Sequence, residues 1–255
     1  MRLSVVIITL NEAPVIAECL RSLPAHDEII VVDSGSDDGT QQICRSFGAR
    51  VIDADWPGFG LQKQRALDAA GGRWVLSLDA DEQLDRRLRE AIEGVLDADE
   101  AGREARSGFY LRIRSSFAGQ VIRFGDWRRR KLRLFRRESG RFTPALVHER
   151  VVVEGEVGSL PGWVLHDSII DWPDAMAKAD LYAQLSVERM RARGRVGRLC
   201  GILHGLWAFL RGYLLRLGFL DGYNGLRLAL ANAWGTYLRY TVAARPASPQ
   251  PLARK

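Results

Sequence analysis

The stretch Trp74-Val-Leu-Ser-Leu-Asp79-Ala-Asp81-Glu82 changes character abruptly, from a run of large apolar residues to carboxylates. The apolar part has the length of a strand buried on both faces. Side chains two apart on an extended chain point the same way, so the spacing predicts that Asp79 and Asp81 present their oxygens on one side. Between them Ala80 is small enough to let a bulky ligand approach the backbone. Two hard oxygen ligands at the mouth of a sheet suit Mg²⁺ or Mn²⁺, which would keep open positions for phosphate oxygens. The bland alternative is that Asp-Ala-Asp ends a strand and caps the next helix.

The elements that must position these groups alternate. Leu3–Ile8, Glu28–Val32, Arg50–Asp53 and Trp74–Leu78 read as strands, rich in β-branched and apolar residues. Between them Val15, Ile16, Cys19 and Leu20 share a helical face, Asp37 or Asp38 can cap a helix over Thr40–Phe47, and a third helix runs from Leu61 to Ala70 before Gly71-Gly72. Strand alternating with helix predicts an α/β domain, a Rossmann-like, mostly parallel sheet flanked by helices. Ligands in such sheets bind beyond the carboxyl ends of the strands. Three strands end in polar sequence, at Thr9–Glu12, Asp33–Thr40 and Asp79–Glu82, and parallel strands would bring these loops to one edge. Neither a Gly-x-Gly-x-x-Gly after the first strand nor a Walker lysine loop occurs, which disfavours dinucleotide and P-loop chemistry.

The totals narrow the partners. The 255-residue chain carries a net charge of +6, with arginine far outnumbering lysine, which points to an anionic partner: a phosphorylated substrate, acidic lipid or nucleic acid. Cys19, Cys44 and Cys200 have neither zinc nor disulfide spacing, which is compatible with a reducing compartment. The apolar run Leu3–Leu10 is too short for a signal peptide.

Three motifs in order, Ser4-Val-Val-Ile-Ile-Thr-Leu-Asn-Glu12, Asp33-Ser-Gly-Ser-Asp-Asp-Gly-Thr40 and Leu78-Asp-Ala-Asp81, resemble those of family 2 glycosyltransferases with the GT-A fold. Gly108-Phe-Tyr, Lys131-Leu-Arg-Leu-Phe-Arg-Arg137, Leu146-Val-His-Glu149 and Gly218-Phe-Leu-Asp-Gly222 resemble a narrower group, the bacterial lipopolysaccharide core glucosyltransferases. The resemblance implies a nucleotide pocket lined by Thr9, Asn11 and Glu12, with Glu12 near the ribose. It implies that Asp33 accepts from the imide N–H of uracil, that Asp81 holds the divalent metal under the diphosphate, and that Asp79 contacts ribose or a water beside the metal. Lys63 and Arg65 lie where a cation could reach a phosphate, or else form a solvated helix face.

An inverting transfer needs one carboxylate to take the acceptor hydroxyl's proton. Enzymes of the family it resembles often supply the base from an acidic motif after the metal aspartates, and Val147-His148-Glu149 occupies that region. This makes Glu149 the expected base, with His148 orienting it, approaching the metal or simply packing; His166-Asp167 is a weaker competing site. The cation-dense Asp126–Arg133 is either a solvated edge strand or a cradle for phosphate. Absence of the Glu-Asp pair and Gln-x-x-Arg-Trp of processive polymerases argues for adding a single sugar.

Residues 1–170 are expected to form the GT-A domain, with short strands at Phe109–Arg114, Leu132–Phe135, Val151–Val153 and Trp163–His166 after a charged connection over Ala98–Ser107. Residues 171–244 read as a helical region, with Ala175–Arg193 amphipathic and Tyr182, Leu185 and Met190 buried. Its apolar runs, Leu199–Leu210 and Leu228–Leu238, fall short of the roughly 20 residues of a spanning helix. Their tryptophans, tyrosines and interrupting arginines fit helices lying in an anionic membrane interface, against the alternative of ordinary packed core. Residues 245–255 read as a disordered tail.

The expected activity is therefore metal-dependent transfer of one hexose, glucose from UDP-glucose, onto a lipid-linked saccharide, the lipopolysaccharide inner core. It would occur in the cytoplasm, at the inner membrane of a Gram-negative-type bacterium, without nucleic acid. A polyprenyl-phosphate acceptor is the enzymatic alternative, and a nucleotide- or nucleic-acid-binding module the non-enzymatic one.

Overall fold

The computed structural model describes residues 1–124, 128–144, 149–169, 171–192, 194 and 196–244, with side chains at all of these except 128, 129, 167, 168, 185, 188 and 189. These residues form two compact units: 1–115 with 128–168, and 116–124 with 169–244.

The first unit is an α/β layer structure. In chain order it contains β1 (Leu3–Thr9), α1 (Ile16–Arg21), β2 (Glu28–Asp33), α2 (Thr40–Ser46), β3 (Arg50–Asp53), α3 (Phe59–Asp68), β4 (Trp74–Asp79), β5 (Glu82–Leu84), α4 (Arg86–Glu100) and β6 (Gly108–Phe117). Strand β7 (Gln120–Val121) belongs to the second unit; β8 (Arg128–Arg136), β9 (Gly140–Phe142), β10 (Val151–Val153), β11 (Val157–Ser159) and β12 (Val164–Ile169) follow. The sheet runs β3-β2-β1-β4-β8-β6-β12-β5. The first four strands are parallel, and β8 is antiparallel to both β4 and β6.

All seven residues of β1 are buried because both faces are covered. Val5 and Ile7 pack on one side with Ile16, Cys19, Leu88 and Ile92; Val6 and Ile8 pack on the other with Ala66, Leu67 and Phe135. This is why the sequence shows a continuous apolar run rather than alternation. Gly72 lies so close to β1 that a Cβ there would stand 2.6 Å from the Ser4 amide nitrogen. The register pairs Thr9 with Asp33, Ile8 with Asp79 and Asp33 with Asp53, so the polar strand ends converge on one edge, as expected. Helix α4 starts at the N-cap Asp85, whose carboxylate accepts from the Leu88 amide at 2.8 Å, and buries Leu88, Ile92, Val95 and Leu96 at helical spacing. It continues to Glu100, so the connection expected from Ala98 is shorter.

The second unit is helical: α5 (Trp172–Leu185), α6 (Val187–Ala192), α7 (Arg198–Leu210), a π-helical turn over Arg211–Leu215, a 3₁₀ turn over Gly218–Asp221 and α8 (Gly222–Ala243). Phe117, Ile122, Ile169, Ala175, Leu228 and Ala231 form its core. Met190 is buried as expected, but Tyr182 is 50% exposed. The face of α5 turned to α8 is made of small residues, with Ala183 fully buried and Ala179 against Gly235, which leaves the larger Tyr182 outside. Leu185 lies outside the described side chains, and the expected disordered tail outside the described residues. Among the described residues, no helix is long and apolar enough to cross a membrane.

Candidate active site

Two loops at the carboxyl edge are laced together by hydrogen bonds. The carboxylate of Asp33 is fully buried and accepts from the Thr9 hydroxyl (2.7 Å), the Gly35 amide (3.1 Å), the Ser36 amide (2.8 Å) and hydroxyl (2.6 Å), and Gln41 Nε2 (2.7 Å). Burial alone would raise its pKa, but these donors outweigh that and hold it below the ordinary carboxylate range. Across the gap, the Asn11 amide donates to Ser36 Oγ (2.8 Å), Asn11 Oδ1 accepts from the Asp37 amide (3.1 Å), and the Glu12 amide donates to Thr40 Oγ1 (2.8 Å). Asp38, expected as a helix cap, accepts from the Thr40 amide at 3.0 Å, but the N-cap of α2 is Gly39 and no side chain caps it.

Thr9 and Asp33 are buried within the loop scaffold, and both oxygens of Asp33 accept hydrogen bonds there. Asn11 is exposed and Glu12 half-buried, so these two stand on the solvent side. Asn11 holds φ +56°, a left-handed conformation that asparagine tolerates better than most residues.

At the end of β4 lies a cluster of paired charges. Asp79 Oδ1 accepts from Lys63 Nζ (2.6 Å) and Asp79 Oδ2 from the Arg133 guanidinium (2.6 Å), with Lys131 Nζ at 3.7 Å. The same Arg133 nitrogen reaches Glu82 Oε1 (2.6 Å), and Glu82 Oε2 accepts from the Asp79 amide (2.9 Å). Lys63 Nζ also reaches Glu149 Oε1 (2.6 Å). Lys63 and Arg133 are each only 3% exposed, and Glu82 is wholly buried. Burial would raise the Asp79 pKa, but Arg133, Lys63 and Lys131 hold it well below the usual range. Burial pushes Glu82 upward against the pull of Arg133. Arg133 is driven above its ordinary value because Asp79 and Glu82 outweigh the burial that would lower it.

Asp81 has different surroundings. Its Oδ2 stands 3.0 Å from His166 Nε2, with the Asp81 side chain 27% exposed. Burial would lower the His166 pKa, yet its bond to Asp81 and the nearby carboxylates raise it. Strand β4 ends at Asp79, so extended-chain geometry does not reach Asp81 and the two carboxylates face different partners.

Both oxygens of Asp79 are held by cations. Asp81 with His166 offers an oxygen and a nitrogen ligand, a pair that fits a divalent ion taking its other ligands from phosphate or water. Ala80 is 4% exposed and packs in the core, so it opens no approach to the backbone. Lys63 turns inward to carboxylates, while Arg65 is held by Asp55, at 2.9 Å from its carboxylate. His148 and Asp126 lie outside the described residues, and Asp167 outside the described side chains.

Glu82 and the particular roles of Lys131 and Arg133 were missed in the sequence. A signal existed for the two cations: alternation along β8 puts residues 131 and 133 on one face. Nothing local marks the Asp81–His166 pairing, which depends on β12 lying antiparallel to β5 with His166 opposite Glu82.

Comparison with known proteins adds to this geometry. The family model described as "Glycosyl transferase family 2" matches residues 4–140. The lipopolysaccharide core biosynthesis glycosyltransferase LpsC of Rhizobium meliloti (strain 1021) is 33% identical, over 96% of this chain and 95% of LpsC. An uncharacterized glycosyltransferase, RP128 of Rickettsia prowazekii (strain Madrid E), is 27% identical over 93% of this chain and 85% of its own. A crystal structure of S. aureus TarS 1-349 in complex with UDP aligns at a TM-score of 0.48 and 17% identity, over 72% of this chain and 64% of that one. That structural likeness is too loose to carry weight.

Proposed function

This chain belongs to glycosyl transferase family 2, and from that premise we propose that it moves a single hexose, glucose from UDP-glucose, onto a lipid-linked lipopolysaccharide core saccharide with inversion. The acceptor is proposed on the likeness to LpsC, which extends over nearly the whole chain. As a family member the chain is a nucleotide-sugar glycosyltransferase, which removes the non-enzymatic alternative.

The observation that carries the site assignment is the contrast in partners between neighbouring carboxylates, whose side chains are equally 27% exposed: Asp79 is paired with Lys63 and Arg133, whereas Asp81 meets His166. Asp81 and His166 would hold Mg²⁺ or Mn²⁺. Such an ion, when bound, offsets the negative charge gathering on the departing diphosphate. Asn11 and Glu12, on the solvent side of the laced loops, are the groups offered to the nucleoside.

Glu149 is the proposed base. One oxygen is held by Lys63, and the other makes no hydrogen bond among the described residues. That oxygen would take the proton of the acceptor hydroxyl as the hydroxyl oxygen bonds to the anomeric carbon and the bond to the nucleoside diphosphate breaks. Lys63 fixes Glu149 against Asp79, so base and sheet edge are positioned together. The partly exposed apolar helices of the second unit would rest on the cytoplasmic leaflet of the inner membrane, where a lipid-linked acceptor lies.

The test is turnover of sugar nucleotides with truncated lipopolysaccharide as acceptor, compared with polyprenyl phosphate. Glucosylated core saccharide supports the reading, and glucosyl phosphate product would move it to the alternative. Glu149→Gln is expected to lower kcat by roughly 10²–10⁴-fold with UDP affinity unchanged. An unchanged kcat would remove Glu149 as base.

A further inference from the structure

The second unit exposes apolar side chains along a continuous length of chain. Leu199, Leu203 and Trp207 on α7, Leu215 and Leu220 in the turns that follow, and Tyr223 at the start of α8 are all more than half exposed. Between α5, α7 and α8 lies an open groove of about 440 Å³, lined by Trp172, Met176, Ile202, Leu206, Leu230 and Trp234 among others. That volume lies within the roughly 300–1,000 Å³ of small-molecule sites. The base of the groove follows from close helix packing: a Cβ on Gly201 would stand 3.0 Å from the Tyr237 ring, and one on Gly205 3.0 Å from the Ala233 carbonyl. No lining residue carries a charge.

Charge on α7, the turns and α8 is almost wholly basic, whereas α5 carries Asp174, Lys178 and Asp180. Residues 198–244 hold arginines at 198, 211, 216, 227 and 239, and their one acidic residue is Asp221. Asp221 is 6% exposed and accepts from the Arg123 and Phe124 amides, so it does not face solvent. Helix α7 has 13 residues, about 20 Å of length, well short of a bilayer's hydrocarbon core of ~30 Å. Helix α8, with 22 residues, is not apolar enough to cross a membrane, so apolar exposure and arginines together fit a helix pair lying in the plane of an anionic lipid surface.

We propose that this face docks on an anionic bilayer and that the groove takes one acyl chain of an anionic glycerophospholipid. The inference rests on the membrane-surface reading above and adds a discrete lipid site to it. The groove's lining is uncharged and mostly aliphatic and aromatic, and the basic surplus of residues 198–244 complements a phosphate headgroup.

The experiment uses the full chain with phosphatidylcholine vesicles, with and without phosphatidylglycerol carrying a photoreactive acyl chain. Co-sedimentation should strengthen about tenfold or more when phosphatidylglycerol is present, and the label should fall on α5, α7 and α8 peptides lining the groove. Ala233→Phe fills the groove while keeping the face apolar, so it should retain co-sedimentation and lose the groove label. Leu206→Trp, at the half-exposed rim, serves the same purpose if the first variant does not fold. Label unchanged by either filling variant, or spread evenly over the exposed face, overturns the acyl site. Failure to bind vesicles together with a stable dimer in sedimentation equilibrium would reassign the face to a second copy. UDP binding measured on the same samples separates these results from failure of the transferase reading.

Discussion

The two units depart from ordinary burial in opposite directions. The first hides Lys63, Arg133 and Glu82 almost completely and pairs them at 2.6 Å. The second leaves tryptophan, leucine and tyrosine side chains half or more in solvent. A buried charge is costly unless partnered, and an exposed apolar patch is unfavourable unless something covers it. The first unit partners these charges internally by ion pairs, although Arg133 Nε is buried without a hydrogen bond among the described residues; the exposed apolar side chains of the second have no such pairing. The charge cluster holds Glu149 through Lys63, and the apolar face is where the proposed membrane contact is to be sought.

The contrast is broken most severely at Arg133. Arg133→Ala would leave the buried Glu82 and the partly buried Asp79 with one guanidinium fewer, at a cost of about 3–5 kcal/mol, measured by urea denaturation. A small effect would mean that the cluster is not the internally balanced unit described. Lys63→Met is milder because Asp79 keeps Arg133; a loss of about 2 kcal/mol is expected, together with a fall in kcat as Glu149 loses its anchor.

Asp99 sharpens the comparison from outside the site. It accepts from Arg136 (2.6 Å) and Arg73 (3.0 Å), and these bonds hold its pKa below the ordinary range although burial would raise it. A depressed native value means the stabilisation is complete above about pH 4 and lost as pH falls through the native pKa. Asp99→Asn should therefore cost about 2 kcal/mol at neutral pH, and its deficit relative to the native chain should shrink on acidification. A deficit independent of pH would contradict the assignment. In the second unit, Leu203→Ser should change stability by less than about 0.5 kcal/mol yet weaken vesicle binding. A large loss of stability would mean that this face is core after all.

Much of the fold was legible. Apolar runs ending in polar loops identified β1, β2 and β4, and parallel pairing brought their ends together as the alternation implied. Roles within the site were less legible because burial is a tertiary property. Asp33 reads as an open ligand but is enclosed by donors from its own loop and from Thr9, and Ala80 reads as a gap but packs in the core. Asp79 and Asp81 read as a matched pair, but β4 ends between them, so one meets Lys63 and Arg133 and the other His166. Tyr182 reads as core because aromatics usually are, whereas alanines form the packed face of α5.

On the proposed reading, Asp81 rather than Asp79 carries the metal-dependent part of donor binding. The direct measurement is calorimetric titration of UDP with and without Mn²⁺, on the native chain and on Asp81→Ala. The account predicts Mn²⁺-dependent binding that weakens by about 100-fold or more, some 3 kcal/mol, in the variant while its melting temperature stays near that of the native chain. UDP binding by Asp81→Ala with the same affinity and the same Mn²⁺ dependence as the native chain would contradict it.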